Sequence, residues 1–304
     1  MKMAHPILVA GKTGQLARAT AELATERELP LVTVGRPELD LEDADSVERV
    51  MAALIPSAIV NAAAYTLVDK AESESERAFS INRDGAARLA AAAAKYRIPY
   101  VHVSTDYVFD GNKTSPYRED DIPSPLSIYG QSKLAGEIAV RNAYSEALIL
   151  RTSWVFSHFG QNFVKTMLRL ADTRDIVRVV DDQHGAPTAA NDLARAILAV
   201  LEQIAKTGDT NRAGVYHVAC GGETTWYGFA AAIYADWARR GRRIPKLEPI
   251  KTADYPTPAQ RPANSRLDCL KIRRTFGIQL PPWQKSLEKC LDRLATASLE
   301  TKQC

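Results

Sequence analysis

The sequence is poor in cysteine, histidine and aromatic residues, and it contains no long apolar run. Four cysteines and five histidines occur among 304 residues, and aromatic residues account for 7%. The cysteines are Cys220, Cys269, Cys290 and Cys304. They form no C-x-x-C pair, which argues against a zinc site or a redox motif and favours reduced thiols. No apolar stretch approaches the roughly 20 residues of a membrane span, so we expect no membrane insertion.

Neither sign of charge is in large excess. The chain has 39 Lys and Arg residues against 36 Asp and Glu residues, a formal net charge of +3. A nucleic-acid surface would need a concentrated basic stripe, so we expect no nucleic-acid partner. The first apolar run, which ends at Ala10, leads directly into a glycine turn, as a first strand does and a signal peptide does not. We therefore expect a cytoplasmic protein that acts on a small molecule.

Short apolar runs alternate with segments of helical period as far as Ala219. The runs are Ile7–Ala10, Leu31–Val34, Ala58–Val60, Tyr100–Val103, Ala147–Leu150, Ile176–Val180 and Val215–Val218. Right-handed crossovers place helices on both faces of a parallel sheet, so this alternation predicts an α/β fold with a doubly wound, Rossmann-like sheet. Beyond Ala219 the rhythm fades, which indicates a smaller C-terminal lobe. We expect a dinucleotide-binding domain of residues 1–154 and 176–222, and a substrate-binding lobe of residues 155–175 and 223–304.

A glycine turn follows the first run, with the sequence Gly11-Lys-Thr-Gly14-Gln-Leu-Ala17. A turn without side chains at the start of a helix lets the backbone and its free N–H groups approach a pyrophosphate. Two glycines in such a turn are often only structural. The second run supplies context, because it ends at Gly35-Arg36, where this fold selects between cofactors. A guanidinium there suits the 2′-phosphate of NADPH, although a solvated turn arginine is the alternative.

Tyr129 and Lys133 are four residues apart and so lie on one face of a predicted helix. A cation near a phenol favours its ionised form, and one charge at about 4 Å supplies most of the roughly 4 kcal/mol that would bring the phenol pKa near 7. An isolated pair of this kind is usually only solvent-facing. Here it follows a strand that ends in Thr105, whose hydroxyl is expected to donate to a substrate carbonyl.

Five longer motifs resemble one family. They are Asn61-Ala-Ala-Ala64-Tyr65-Thr66-Leu-Val68-Asp69-Lys-Ala-Glu72, Ser104-Thr105-Asp106-Tyr-Val-Phe-Asp-Gly111, Tyr129-Gly-Gln-Ser-Lys133, Arg151-Thr-Ser-Trp154-Val-Phe156 and Arg261-Pro-Ala-Asn264-Ser265-Arg266-Leu267. Over nearly its whole length the chain resembles the dTDP-4-dehydrorhamnose reductases, which are extended short-chain dehydrogenases. The resemblance implies reduction of dTDP-4-dehydro-β-L-rhamnose, a dTDP-4-keto-6-deoxysugar, to dTDP-L-rhamnose for cell-surface polysaccharide such as lipopolysaccharide O-antigen. The implied cofactor is NADPH or NADH, and Arg36 favours NADPH.

The resemblance also implies roles for individual residues. Tyr129 donates a proton to the C4 oxygen, Lys133 holds the nicotinamide ribose, and Thr105 polarises the carbonyl. When the residues of the two turns described above are included, the expected cofactor-binding residues are Gly11, Gly14, Gln15, Leu16, Arg36, Asp40, Leu41, Ala64, Tyr65, Thr66, Tyr129 and Lys133. The expected substrate-binding residues are Thr105, Asp106, Trp154 and Val68. A core tryptophan is the alternative for Trp154.

The chain departs from the family pattern at a few positions. The family usually has histidine where Tyr65 stands, which puts one contact beside the nicotinamide in doubt. Some members dimerise through magnesium held by glutamates, but Ala19 and Asn191 stand about where acidic ligands are expected. We therefore predict no metal site, and a monomer or homodimer. Of two further candidates, we expect His184 to lie in a turn and Arg239–Arg243 to be a solvated helix end.

Two other functions stay open from the sequence alone. A non-catalytic NADP-binding regulatory subunit of the methionine adenosyltransferase type shares this fold and keeps a Tyr-x-x-x-Lys pair, but Thr66–Glu72 and Trp154 favour the reductase. A nucleotide-sugar epimerase would hold NAD tightly, and Arg36 argues against that cofactor. The sequence leaves open the nucleotide on the sugar, the cofactor preference, the oligomeric state and the polysaccharide that receives the product.

Overall fold

The computed structural model describes residues 5–208 and 212–300, with side chains as far as residue 296. Its strands are β1 (Ile7–Ala10), β2 (Leu31–Val34), β3 (Ala58–Asn61), β4 (Tyr100–Thr105), β5 (Leu148–Thr152), β6 (Val155–Phe156), β7 (Ile176–Val180), β8 (His184–Gly185), β9 (Thr188–Ala189), β10 (Gly214–His217), β11 (Thr224–Thr225) and β12 (Lys246–Ile250). Its α-helices are α1 (Gln15–Glu26), α2 (Ala44–Leu54), α3 (Val68–Ala71), α4 (Ser75–Phe79), α5 (Ala86–Tyr96), α6 (Ile128–Ala143), α7 (Phe163–Thr173), α8 (Ala190–Thr207), α9 (Trp226–Arg239), α10 (Leu270–Phe276) and α11 (Trp283–Glu300).

Six strands form a parallel sheet in the order β10-β5-β4-β3-β1-β2. The chain leaves β1 toward β2 on one side and returns to β3 on the other, so the strand order reverses at β1. Ligands of doubly wound sheets bind outside the carboxyl ends of the strands at such a reversal. The predicted fold class is confirmed.

Both faces of this sheet are covered by helices. Along β1, Ile7 and Val9 pack toward α1 and α8, whereas Leu8 and Ala10 pack toward α2, α5 and α6. All four side chains are buried. Because a strand buried on both faces has apolar residues at every position, it forms a continuous apolar run in the sequence. These strands can therefore be recognised from the sequence alone.

The run Ile176–Val180 does not join this sheet, and that expectation is wrong. As β7 it pairs in parallel with β12 and packs in a second core with α7, α9 and α11. Only alternate side chains of β7 are buried, and Ile176 and Arg178 are exposed. One face of the strand is therefore solvated, unlike a central strand of the main sheet. This pairing favours a domain division, still a proposal, in which residues 176–180 go with the smaller lobe.

Two glycines let α6 pack directly on backbone. A Cβ at Gly130 would lie 2.2 Å from the carbonyl oxygen of Tyr107, and one at Gly136 would lie 2.1 Å from that of Asn82. Asn82 belongs to a π-helical turn between α4 and α5. The Ser127 side chain caps α6 by accepting from the Gly130 N–H at 3.2 Å. These contacts fix α6 over the carboxyl end of β4.

The structure also bears on two expectations from composition. Within the described ranges, no helix has both the length and the apolar character needed to cross a bilayer. Cys220, Cys269 and Cys290 are free thiols. Cys304 lies outside the described residues.

Candidate active site

A cleft of about 830 Å³ opens at the carboxyl ends of the central strands. Every predicted site residue except Tyr65 lines it. The fold thus brings together the glycine turn after β1, the end of β2, the segment after β3, Thr105 at the end of β4 and the first two turns of α6. A volume of this size is within the range of protein sites for cofactors and small ligands.

Tyr65 lies beside the cleft but its side chain is turned away. Its hydroxyl donates to Glu74 Oε2 at 2.9 Å, and its ring is buried with Ala71 and Ala78. Its backbone N–H donates to Asn82 Oδ1 at 2.8 Å. The Tyr65 side chain is thus engaged with the protein, and the predicted contact between this side chain and a cofactor has no support here.

The glycine turn has the geometry that a pyrophosphate site requires. Gly11 has φ +121°, a conformation that residues with a side chain rarely adopt. A Cβ at Gly14 would meet no atom within 4 Å, so this residue leaves open space at the helix start. Gly14 caps α1 without a side-chain hydrogen bond, and no acidic residue occupies the first turn. The positive end of α1 is therefore available to an anion.

The rim beyond β2 carries cations. Arg36 is exposed and lines the cleft, and no ion pair forms at its guanidinium within the described part of the chain. Lys12, also on the rim, is 3.6 Å from Glu38 in a pair that is more than half exposed. Asp40 is engaged by its own loop, since its Oδ1 accepts from the Glu42 N–H at 3.0 Å. This arrangement leaves Arg36 free to meet a phosphate.

Tyr129 and Thr105 face the cleft close together. Burial raises the pKa of Tyr129 to about 12, and the neighbouring Thr105 hydroxyl opposes this only in part. Thr105 Oγ1 donates to Asp106 Oδ1 at 2.9 Å and accepts from the Tyr107 N–H at 3.2 Å. The expectation that Lys133 brings the phenol pKa near 7 is therefore wrong for the protein without ligand. The physical reason is desolvation of the phenolate, to which the negative charge of Asp106 adds.

Lys133 is fully enclosed. Its Nζ donates to the Val103 carbonyl at 2.7 Å and lies 3.4 Å from His102 Nε2. Burial lowers the pKa of Lys133 to about 8, against an opposing effect of Glu137 one turn further along α6. Glu137 is itself held by Arg151, with Nη2 to Oε2 at 2.6 Å, and both side chains are 4% exposed.

Asp106 is a buried carboxyl at the edge of the site. Desolvation raises its pKa to about 6, and the hydroxyls of Ser265 and Thr105 partly counteract this by hydrogen bonding. A carboxyl with this pKa carries a proton in mildly acidic solution and a charge at neutral pH. Its ionisation therefore changes the charge next to Thr105.

Trp154 forms an aromatic wall with a residue that the sequence did not single out. Its indole stacks on Trp226 with ring centroids 3.6 Å apart and an interplanar angle of 10°. A Cβ at Gly185 would lie 2.5 Å from the Trp154 ring, so glycine is needed there. Trp154 and Trp226 both line the cleft, which argues against the core alternative for Trp154.

Other lining residues were also missed. Gly160, Gln161 and Asn162 precede α7 and line the cleft. Asn162 Nδ2 donates to Gln15 Oε1 at 2.9 Å, which joins this loop to the start of α1. These residues have no distinguishing pattern, since their partners are about 150 positions away. The one local signal is that they follow the short strand β6 in a polar loop before α7.

The remaining candidates have structural roles. His184 is exposed, but the expectation of a turn there is wrong, because His184 lies in the short strand β8, which pairs with β11. At the end of α9, Arg239 and Arg240 pair with Asp236, and Arg243 pairs with Asp175. None of these arginines lines the cleft.

The residues at the expected magnesium position do not fit a magnesium site. Asn191 Nδ2 donates to Glu22 Oε2 at 3.1 Å, and Arg293 forms an ion pair with the same carboxylate. Ala19 is buried in α1 and offers no ligand atom. A guanidinium thus already neutralises Glu22. Within residues 5–208 and 212–296, His, Cys, Asp and Glu side chains form no cluster of three suited to a metal.

Comparison with known proteins agrees with this geometry. Residues 4–296 match the family described as RmlD substrate binding domain. The dTDP-4-dehydrorhamnose reductase of Sinorhizobium fredii is 48% identical over 284 residues, which cover 93% of this chain and 95% of that protein. The structure of a dTDP-4-dehydrorhamnose reductase from Clostridium acetobutylicum superposes with a TM-score of 0.88 at 36% identity, covering 95% of this chain and 99% of that one.

A further structure bears on the cofactor. The dTDP-4-dehydrorhamnose reductase of Bacillus anthracis, solved in complex with NADP, superposes with a TM-score of 0.88 at 33% identity, covering 96% of this chain and all of that one. The similarity extends over sheet, cleft and smaller lobe alike. This chain belongs to the dTDP-4-dehydrorhamnose reductase family of extended short-chain dehydrogenases.

Proposed function

We propose that this protein reduces dTDP-4-dehydro-β-L-rhamnose to dTDP-L-rhamnose with NADPH or NADH, for cell-surface polysaccharide. The observation that carries the proposal is the cleft in which Tyr129, Thr105 and Lys133 lie beside a glycine turn. Relatives named as this reductase, at 48% and 44% identity, support the substrate. Neither the regulatory subunit nor the epimerase alternative is favoured by these relatives.

The residues of the cleft fit a nicotinamide dinucleotide. Gly11, Gly14 and the N–H groups at the start of α1 would hold the pyrophosphate, and Arg36 would hold a 2′-phosphate. Leu41 and Ala64 would line the adenosine and nicotinamide ends, and Lys133 would bond the nicotinamide ribose. When bound, the reduced nicotinamide supplies the hydride. The exposed Arg36 supports a preference for NADPH.

Tyr129 would act as the general acid. A phenol whose pKa is about 12 is fully protonated at neutral pH, as a proton donor to an alkoxide must be. Thr105 would donate a second hydrogen bond to the C4 oxygen as negative charge develops there. To do so, it must release Asp106 Oδ1, to which its only proton is now donated.

The sugar nucleotide would enter between the sheet and the smaller lobe. The stacked indoles of Trp154 and Trp226 offer a flat apolar wall, and Asp106 and Val68 also line the cleft. We place the enzyme in the cytoplasm, where nucleotide sugars and reduced cofactors are made. A monomer or homodimer without bridging metal is consistent with the Glu22–Arg293 pair.

The test is oxidation of NADPH or NADH on addition of the dTDP-4-keto sugar, compared with its UDP and GDP counterparts. Tyr129→Phe should lower kcat by about 10²- to 10⁴-fold, the usual contribution of general acid catalysis, and leave cofactor affinity nearly unchanged. Turnover of the variant within twofold of the parent would remove Tyr129 from the mechanism. Failure of the parent to oxidise either cofactor would overturn the proposed function.

A further inference from the structure

His102 is a buried titratable residue that the proposed chemistry does not use. It lies on β4 with 1% of its surface exposed, directly beneath the Lys133 amine. Its two ring nitrogens face different groups. Nε2 is 3.4 Å from Lys133 Nζ, and Nδ1 is 3.1 Å from Asn61 Nδ2. Which ring nitrogen of His102 carries the proton therefore determines whether Nε2 donates a hydrogen bond to the Lys133 amine or accepts one from it.

The orientation of the Asn61 amide is fixed by the backbone. Asn61 Oδ1 accepts from the Ala63 N–H at 3.2 Å, so the oxygen is committed to that donor. The amide NH₂ group is left to face His102 Nδ1. An amide nitrogen only donates, so Nδ1 must be the acceptor. A flipped amide would set NH₂ against the Ala63 N–H and lose that bond.

This hydrogen-bond direction fixes the tautomer of His102. A neutral ring that accepts at Nδ1 carries its proton at Nε2, which then points at Lys133 Nζ. An ammonium has three donors and no lone pair, so it cannot accept a hydrogen bond from this N–H, and two donors would face each other. A neutral amine has a lone pair that accepts from Nε2–H, while one of its own N–H groups donates to the Val103 carbonyl at 2.7 Å. The neutral amine satisfies every group in this chain.

The charges around Lys133 do not reverse this preference. On α6, Glu137 favours the ammonium, but its carboxylate is bonded to Arg151 of β5 and accepts from the Ser104 hydroxyl at 2.5 Å. On β4, burial holds the pKa of His102 well below its usual range, so the ring is neutral. Tyr129, one turn earlier on α6, is protonated. Within the described residues, the carboxylate that favours the Lys133 ammonium is therefore already paired with Arg151.

We infer that the Asn61–His102 pair stabilises the neutral amine of Lys133 relative to its ammonium, so that binding of the nicotinamide cofactor in mildly alkaline solution is coupled to partial uptake of a proton by Lys133. The proton comes from solvent and binds the Nζ lone pair. In the complex, ribose oxygens would accept hydrogen bonds from the ammonium, and the negative charge of the cofactor would favour the charged form of Lys133. The inference rests on the proposed function in one respect, that Lys133 holds the ribose.

The experiment is isothermal titration calorimetry of NADH binding to the full chain, in buffers of different ionisation enthalpy. The slope of observed enthalpy against buffer enthalpy gives the number of protons taken up. NADH is the probe because it lacks the 2′-phosphate, which titrates itself. With a pKa of about 8 in the free protein and an ordinary lysine value of about 10.4 when bound, uptake should be about 0.1 proton near pH 7 and about 0.75 near pH 8.5.

Two variants assign the proton. Asn61→Asp keeps an oxygen for the Ala63 N–H but turns the facing atom into an acceptor, which moves the ring proton to Nδ1 and gives Nε2 a lone pair for the ammonium. Uptake near pH 8.5 should fall below about 0.2 proton. Asn142→Asp, at an exposed position on α6, is the matched control and should keep the parental value. Lys133→Met should abolish uptake.

The outcomes separate the two proposals. If NADH and NADPH do not bind at all, the proposed function fails. If NADH binds with no proton exchange near pH 8.5, or if Lys133→Met leaves the exchange intact, the inference fails and the function stands. An unchanged uptake in a folded Asn61→Asp protein also overturns it. Should that variant not fold, the pH dependence of the parent and Lys133→Met still decide.

Discussion

Replacing Glu137 by glutamine is expected to lower the free energy of unfolding by about 3–5 kcal/mol, the usual cost of leaving one buried charge without its partner. Arg151 binds this carboxylate through Nε at 2.9 Å and Nη2 at 2.6 Å, and the Ser104 hydroxyl donates to it at 2.5 Å. Both side chains of the pair are 4% exposed. Glutamine keeps the shape but sets an NH₂ group against the guanidinium, and water cannot reach the site to compensate.

The assay is equilibrium unfolding in urea, followed by circular dichroism. Glu48→Gln is the matched control, because Glu48 pairs with Lys95 at 2.8 Å while the two side chains are 54% and 61% exposed. Loss of an exposed pair should cost less than about 1 kcal/mol. The double variant Glu137→Leu with Arg151→Met removes both charges and should recover most of the stability lost by the single variant. Equal losses for Glu137→Gln and Glu48→Gln would refute the argument from burial.

Three further predictions concern the cleft. Thr105→Val should lower kcat by about 10²- to 10³-fold, the cost of losing one hydrogen-bond donor to the oxyanion, whereas Thr105→Ser keeps the hydroxyl and should retain most of the parental kcat. A valine variant with parental kcat would exclude the donor role of Thr105. Arg36→Asp should lower kcat/KM for NADPH relative to NADH by about ten- to hundredfold, the worth of one charge-assisted bond, and an unmoved ratio would place the selector elsewhere. Folding raises the pKa of Asp106 from 3.8 to about 6, so between these pH values the folded protein binds a proton that the unfolded chain has lost, and the free energy of unfolding should fall by up to about 3 kcal/mol as the pH rises through this range. Urea unfolding of Asp106→Asn at several pH values should show no such decrease.

The elements that the sequence predicts well are those defined by local chemistry. The four-residue spacing of Tyr129 and Lys133 places both on one face of α6, because a helix repeats every 3.6 residues. The glycine turn follows a strand buried on both faces, and such a strand is visible as an apolar run. These two patterns locate the cleft before any long-range contact is known.

Contacts between distant residues limit what the sequence can predict. Trp226 stacks on Trp154 across 72 positions, and nothing near Trp226 signals its partner. The pKa of Tyr129 depends on its burial in the folded protein. The direction of the Lys133 amine is set by Val103 and His102, some 30 positions away.

One wrong expectation had a local signal. In Ile176–Val180 a central arginine, Arg178, interrupts the apolar run and is exposed, so the strand is buried on one face only. Strict attention to alternation would have separated it from the central strands. The orientation of Tyr65 had no such local signal. Its hydroxyl bonds Glu74, which caps the short helix α4, and the sequence pattern did not predict this helix.

The residues that line the cleft come from two parts of the chain. Tyr129, Thr105 and Lys133 lie on β4 and α6, whereas Asn162 lies at the start of α7 and Trp226 at the start of α9. We expect substitutions at Asn162 or Trp226 to change the shape of the proposed sugar-binding side of the cleft and to leave the proposed proton donor Tyr129 in place. A combinatorial library confined to the lobe residues, selected on other keto-sugar nucleotides, should yield enzymes of altered specificity more often than one that includes α6.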